Sequence, residues 1–583
     1  MLHPKPPEFV LDMEKGLAAA DYIILAGFFI VMLWIGVAYA GRMKNLSVYF
    51  SGSGQVPWWL SGISLYMTTF SAFTFVMYSA IAYKYGFVAV TILWLSVPAG
   101  LLSTWFLAAR WRRAAATSPV EYLETRYSPA VRQTFSWFGI PLIVLDDALK
   151  LFVIGTMITA SVGLTGTAYQ TQSIIACGAI MLAYTFLGGL WAVLITDFVQ
   201  FIVMAAAVLV LAPLASSKAG GVKVVLDNIP ESHWSLSAGP YTWAWLLAFF
   251  LILLLNFATK WPYVQRYYAA GNDKDARKVG YTVAALNVIG PPIFFWPAFS
   301  AVTLLPGVED ANTIYPLLCG LLLPVGMMGL IIAAMFSATM SMLAGDYNAL
   351  SAVITNDIVK RLFLPEATDR KLMVIARIST LIIGFIAMAI AVALVYQENL
   401  KEMVDFMAKL FAVLLPPVAM PMAAGLLSNR VSARGAVTGF ALGSLCGVVT
   451  FLLGGGETLA FLRTVPWLTW MSIVPTALGL GAGSFLWPDG TTKREEVNAF
   501  LHGLKGGRTA PQSRDSKLDG LYAMNIIGLT TAMLGAVVVI AILVTGALGP
   551  GNISIGVGLA LAGGGGGASW FAKFRMKQIG AGE

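Results

Sequence analysis

A chain of 583 residues that is 58% hydrophobic and 11% charged is too apolar for a soluble fold, whose domains carry about 25% charged residues. Three cysteines and three histidines exclude a disulfide framework and a zinc motif, since Cys177, Cys319 and Cys446 lie in apolar stretches and His3, His233 and His502 lie outside them. The net charge of +8 raises nucleic acid as a partner, which the placement of the charges along the chain excludes.

A helix needs about 20 apolar residues to cross a bilayer, with every backbone group bonded within the helix. Apolar runs of about that length fall at 21–40, 57–82, 86–108, 134–161, 171–187, 191–215, 240–262, 281–305, 318–345, 374–396, 402–426, 434–454, 465–487, 521–547 and 553–571. The first lacks a basic flank and a small-residue cleavage site, so it reads as a retained span. The last contains Gly563 to Gly567, and glycine is a poor helix former. With the N-terminus outside, the loops place 26 Lys and Arg inside and seven outside. The positive-inside rule selects that orientation, with the C-terminus in the cytoplasm. The basic excess is therefore a topology signal, with no nucleic-acid partner implied. The polar stretch 488–520 reads as a cytoplasmic linker.

Charged and hydroxyl residues inside the runs need reasons of their own, because each charge costs about 2.5–3.5 kcal/mol on insertion scales. Run 57–82 carries Thr68, Thr69, Ser71 and Thr74 near its centre. These can bond back to their own helix or line an unwound segment. Run 134–161 carries Asp146, Asp147 and Lys150. Lysine at i+4 and i+3 satisfies one carboxylate. The spare aspartate must find a partner on another helix, hold a proton or face water. Asp197 can pair with a cation or anchor its helix. Lys260 precedes Trp261 and Pro262, where the missing backbone donor perturbs the helix around a cavity. Run 318–345 carries Ser337, Thr339 and Ser341 among small residues, which allow close helix packing. Oxygens on two such helices suit a hard monovalent cation.

Several stretches then carry a family resemblance. They are Val56-Pro57-Trp58-Trp59, Leu187 to Gln200, Val264-Gln265-Arg266-Tyr267 with Lys274 to Lys278, and Ala333 to Met342 with Thr355-Asn356-Asp357. In this order and spacing the chain resembles the sodium:solute symporter family over about residues 20–480. The resemblance implies an all-α polytopic membrane protein with a LeuT-type core. Such a core has two inverted five-helix repeats whose first helices are broken at mid-membrane. On this frame 1–56 holds the tail, an extra helix and the first cytoplasmic loop. Residues 57–215 form the first repeat, 216–239 an extracytoplasmic loop and 240–426 the second repeat. Two peripheral helices occupy 427–487, the linker 488–520, and C-terminal helices 521–583.

The resemblance also implies a sodium site made by the carbonyls of Met67, Phe70 and Ala334 and by Ser337. Asp197 and Ser341, with Thr339 nearby, would form or support a neighbouring one. The second hydroxyl that the family places after Ser337 is Ala338 here, which weakens the first site and leaves proton coupling as an alternative. The solute site implied comprises Thr69, Ser71, Thr74, Asp147, Lys260 and Trp261. The family's sugar-binding Asn, Gln and Glu fall on Thr69, Thr74 and Leu93, so that set is absent. Lys260 stands where many members have Asn or Asp. It can attract an anionic solute or neutralise the spare aspartate. The expectation is a sodium-driven symporter importing a small polar solute across a plasma membrane, namely a bacterial inner membrane. It is not an enzyme and has no obligatory protein partner. A solute sensor of the same fold, a passive channel and an embedded prenyl-transferring enzyme are the competing readings. The sensor lacks a signalling domain after residue 571, and the enzyme lacks paired aspartate motifs.

Overall fold

The computed structural model describes residues 17–40, 46–114, 117–161, 166–396, 400–506, 514–547 and 553–580. Among them there is no β-strand, and the chain is a bundle of helices. Helix α1 spans Ala19–Ala40, α2 Trp58–Met67 and α3 Ala72–Tyr85. The third span, α4, covers Val88–Ala114. Helix α5 spans Pro129–Ser161 and α6 Thr167–Lys218. Helix α7 spans Trp243–Thr259, α8 Trp261–Tyr268 and α9 Asp273–Leu304. A short α10 covers Ile314–Leu322, followed by α11 at Met327–Ala352, which runs on in wide π turns to Phe363. Helices α12 to α15 span Asp369–Val395, Leu400–Leu427, Ala433–Leu453 and Val465–Leu486. Helices α16 to α18 span Thr491–Lys505, Arg514–Thr545 and Ile553–Gly580.

Each of the fifteen apolar runs is helical. Among the described residues, eleven helices are long and apolar enough to cross a membrane by themselves, and the bent pair α7–α8 makes a twelfth. The runs that fall short include the polar ones. Run 57–82 is split by its hydroxyl segment, and run 134–161 carries Asp146, Asp147 and Lys150. Function and hydropathy compete for the same positions.

Three expectations change. The run 318–345 is not one helix: α10 stops at Leu322, and α11 starts at Met327 behind Gly326, which adopts a left-handed φ of 88°. Pro324 lies in the gap and cannot donate to a continuing ladder. The 488–520 stretch is not only a linker. Its first half folds as α16 and buries Val497 and Leu504 against the bundle. Finally, α18 is a full helix despite its glycines. A Cβ on Gly535 would strike Ala562, and one on Gly565 would strike Ala532. Glycine here exchanges helix propensity for backbone contact with α17.

The core of the bundle is α11, which is buried along 89% of its spanning window. It packs on α1, α5, α6 and α12. Asp21 of α1 fixes its outer end by accepting from Gly329 N–H at 2.7 Å, which satisfies one of the orphan donors of a helix start. The long α6 turns at Gly189, where φ is 53°. Its second half carries Asp197 along α11.

At the far end of the α11 segment the Arg132 guanidinium donates to Asp357 at 2.7 Å and to Glu124 at 2.6 Å. Arg361 donates to Glu124 at 2.6 Å. These contacts join the start of α5 and the short helix Tyr122–Arg126 to the end of the α11 segment.

Candidate functional site

The first break follows from the hydroxyls. Thr68 donates to Leu65 O at 2.8 Å, and Thr69 donates to Tyr66 O at 2.6 Å. Both occupy carbonyls at the end of α2. Ser71 is extended, with φ −143° and ψ 171°, and caps α3 in a capping box with Thr74. The Ser71 N–H donates to Thr74 Oγ1 at 3.3 Å. A Ser or Thr followed three residues later by a reciprocating side chain closes a helix start. Local bonding and unwinding are therefore one device: the hydroxyls hold the break open.

The second break lies at Lys260, where α7 and α8 meet at 46°. Lys260 has ψ 126° and caps α8, with Pro262 in the first turn, a position where its missing N–H costs nothing. Tyr263 donates through its hydroxyl to Thr68 O at 3.3 Å, so the two breaks touch. Trp261 is buried, and its ring fills the space beside Gly139 of α5.

Against these breaks stands a charged cluster. Lys150 Nζ lies 2.7 Å from Asp146, 3.0 Å from Asp147 and 2.7 Å from Asp346 of α11. Lys260 Nζ is 3.9 Å from Asp146 and 5.4 Å from the Tyr263 ring centroid. One lysine thus serves three carboxylates rather than one. Asp147 and Asp346 are fully buried, whereas the Asp146 and Lys260 side chains retain 16% and 14% exposure. The accessible edge of the cluster is therefore the Asp146–Lys260 pair.

A second polar seam runs between α6 and α11. Asp197 is fully buried and pairs with the guanidinium of Arg266, 3.5 Å away. It also accepts a short hydrogen bond from Ser64. Both contacts engage Oδ2. Asp197 Oδ1, Ser341 Oγ and Gln200 Oε1 are buried without a hydrogen-bond partner, although Ser341 stands close to Asp197. Gln200 lies one turn beyond Asp197, and its amide nitrogen meets only the sulfurs of Met32 and Met340, at 3.8 and 3.9 Å. Unsatisfied buried oxygens are rare and call for an explanation. An oxygen-rich seam with one free carboxylate oxygen fits a monovalent cation.

At the other expected position, Ser337 donates to Ala333 O at 2.6 Å within its own helix. Its lone pairs remain available to a cation beside the Ala334 carbonyl. The Met67 carbonyl accepts from Phe70 N–H at 3.2 Å across the break.

The structure thus gathers Thr69, Ser71, Thr74 and Lys260 at the breaks, Asp147 in the cluster behind them, and Asp197 with Ser341 on the seam. Arg266 and Gln200 lie in the motifs that carry the family resemblance, which assigns them no role, and Ser64 had no signal of its own. A lone Asp in an apolar helix demands a cationic partner, and Arg266 was the available one. No local signal gave Gln200 a role; that role lies in a side-chain oxygen left without a hydrogen-bond partner.

Comparison with known proteins follows the same lines. The model of the sodium:solute symporter family matches residues 49–443. The sodium/sialic acid symporter NanT of Aliivibrio fischeri is 27% identical over 440 residues, spanning 72% of this chain and 85% of that protein. The sodium/sialic acid symporter SiaT of Proteus mirabilis is 26% identical, spanning 72% of this chain and 87% of that protein. A solved Na+-coupled sialic acid symporter, in a substrate-bound outward-open state, superposes with a TM-score of 0.70 at 23% identity. It covers 80% of this chain and 98% of its own, which shows a shared fold.

Proposed function

The chain belongs to the sodium:solute symporter family, and we propose that it imports a small anionic solute bound where its two helix breaks meet. Membership makes it a secondary active symporter in a multi-pass, LeuT-type membrane fold, with sodium as its coupling ion, and not an enzyme. The family also implies a small-molecule solute.

The observation that carries the anionic reading is the placement of Lys260. Its ammonium has only a loose contact with Asp146, at 3.9 Å, on the accessible edge of the cluster. The first turns of α3 and α8 also begin at the breaks. Half-helix N-termini present partial positive charge and unpaired N–H groups to an anionic group. Thr69, Ser71 and Thr74 then offer hydroxyls to the rest of the solute. An acidic sugar fits this chemistry, and the two bacterial relatives are named for sialic acid.

Sodium is assigned to the α6–α11 seam, held by Asp197 and Ser341 with Gln200. Met67, Phe70, Ala334 and Ser337 form a weaker second position, since Ala338 supplies no hydroxyl. The charge distribution supports a bacterial plasma-membrane protein with its N-terminus outside and C-terminus in the cytoplasm. Binding then proceeds from the outer side, and alternating access delivers solute and ion inward.

The test is uptake of labelled sialic acid and of simpler sugar acids into proteoliposomes under an inward sodium gradient. Accumulation is expected only with the gradient. Lys260→Ala should weaken acids selectively over neutral sugars. Equal transport of acids and neutral sugars by the parent protein would overturn the anionic assignment.

A further inference from the structure

The charged cluster at the middle of the membrane does not close its own account. Asp146, Asp147 and Asp346 face Lys150 and Lys260, three carboxylates against two ammoniums. Oxygens of the three carboxylates lie within 4.8 Å of one another. The place that a bound cation would take is filled by Lys150 Nζ, which contacts all three. Asp147 Oδ2 and Asp346 Oδ1 nevertheless have no hydrogen-bond partner, and both side chains are at most 1% exposed. The two carboxyl groups come from different helices, α5 and α11, and present oxygens within 4.8 Å of each other. Two ionised carboxylates cannot bond, because each is only an acceptor. One proton between them supplies the missing donor and brings the cluster to neutrality. Carboxyl pairs forced together elsewhere share a proton for the same reason.

The other charges around this pair are already engaged. Asp197 and Arg266 pair with each other, 3.5 Å apart. Tyr263 stands beneath Lys260. Arg377 of α12 lies over the Phe186 ring, and Lys409 of α13 lines a separate basin with Arg463. Arg132 and Asp357 pair at the far end of the α11 segment. Arg266 packs against Gly345 and acts on Asp346, but its charge is matched by Asp197, so the excess of one carboxylate stands.

We propose that Asp147 and Asp346 bind one proton between them, forming a titratable site separate from the sodium seam. Lys260 sets its affinity. This lysine caps α8 at a helix break, the part of the fold where the chain is free to bend. With Lys260 near Asp146 the cluster needs one proton for neutrality. With Lys260 withdrawn it carries one more uncompensated negative charge and holds protons more tightly. Movement of the break is thereby linked to protonation, and sodium-driven transport should carry a pH dependence set by these residues.

Infrared spectroscopy of the purified protein, titrated in water and in deuterium oxide, tests this without any solute. The parent protein should show a buried protonated-carboxyl band at neutral pH that shifts on deuteration and disappears at alkaline pH. Asp147→Asn and Asp346→Asn should each remove it, because the carboxyl left behind is neutralised by the two lysines. If one variant fails to fold, the other carries the test. Lys260→Met should move the titration upward by about one to two pH units, as expected for a charge about 6–10 Å away at an effective dielectric near 20. Absence of the band in the parent protein, or its persistence in the asparagine variants, overturns the proposal. Neither result bears on which solute is carried.

Discussion

Two ion clusters join the same helices, α5 and the α11 segment, at different depths. At the far end of the α11 segment Arg132 and Arg361 bond Glu124 and Asp357, two cations to two carboxylates. At mid-membrane Lys150 and Lys260 meet three carboxylates. Asp357 Oδ2 lacks a hydrogen-bond partner as well, and Glu121 acts on it from nearby, yet each bonded carboxylate has a guanidinium of its own. The lower cluster therefore acts as a clamp, fastening the end of the α11 segment to the start of α5. The upper cluster is complete only with something added. In low dielectric an unmatched charge costs several kcal/mol, so charge imbalance, more than the number of ion pairs, separates a working site from a fastener.

The sharpest break of that contrast is Lys150→Met. Three carboxylates would then face only the more distant Lys260, and a loss of about 3–5 kcal/mol is expected, read from the denaturation midpoint in detergent. A variant as stable as the parent would mean that the cluster is protonated well beyond one site. Next in size is Asp197→Asn. The parent should gain about 2.7 kcal/mol from sodium at a hundredfold excess over its dissociation constant, seen as a thermal shift absent with potassium. The variant should show no sodium-dependent shift; a retained one would move the ion to Ser337 and the first break. Gln200→Leu should weaken sodium by roughly five- to tenfold, about 1–1.4 kcal/mol, measured as the midpoint of the same shift. No change would leave Gln200 as packing between Met32 and Met340.

The smallest effect belongs to the clamp. The hydrogen bond from Arg361, with help from Arg132, holds the Glu124 carboxyl below its ordinary range. A lowered native value means that ionised Glu124 contributes its stability at neutral pH. The contribution fades as pH falls from the ordinary glutamate range through the lowered value. Because the group is solvent-screened, Glu124→Gln should cost well under about 1 kcal/mol at pH 7. The difference from the parent should vanish in acid, as pH-dependent unfolding curves would show. A deficit that persisted at low pH would mean that the side chain acts through packing.

Much of the fold was legible because the bilayer imposes a simple rule. A span must be long, apolar and internally bonded, so the runs declared themselves, and loop charges supported an orientation. The break at 68–71 was legible as a hydroxyl cluster and the one at 260 as a Lys-Trp-Pro sequence. The helical part of 488–520 was missed because α16 is polar except for a few residues, and its apolar face has meaning only against the bundle. The split at 323–326 was missed because hydropathy continues across it.

The sequence by itself determined that this is a many-spanning helical protein with charges buried in its spans, since hydropathy and local spacing are properties of one segment at a time. Residues at i+3 and i+4 on one helix, such as Asp146, Asp147 and Lys150, could be paired on paper. Only the tertiary structure decided that Asp346 joins them, that Arg266 answers Asp197, and that the Gln200 side-chain oxygen is left without a partner. Those contacts are made across 60 to 200 positions of chain by helix packing, and no local periodicity encodes which faces meet.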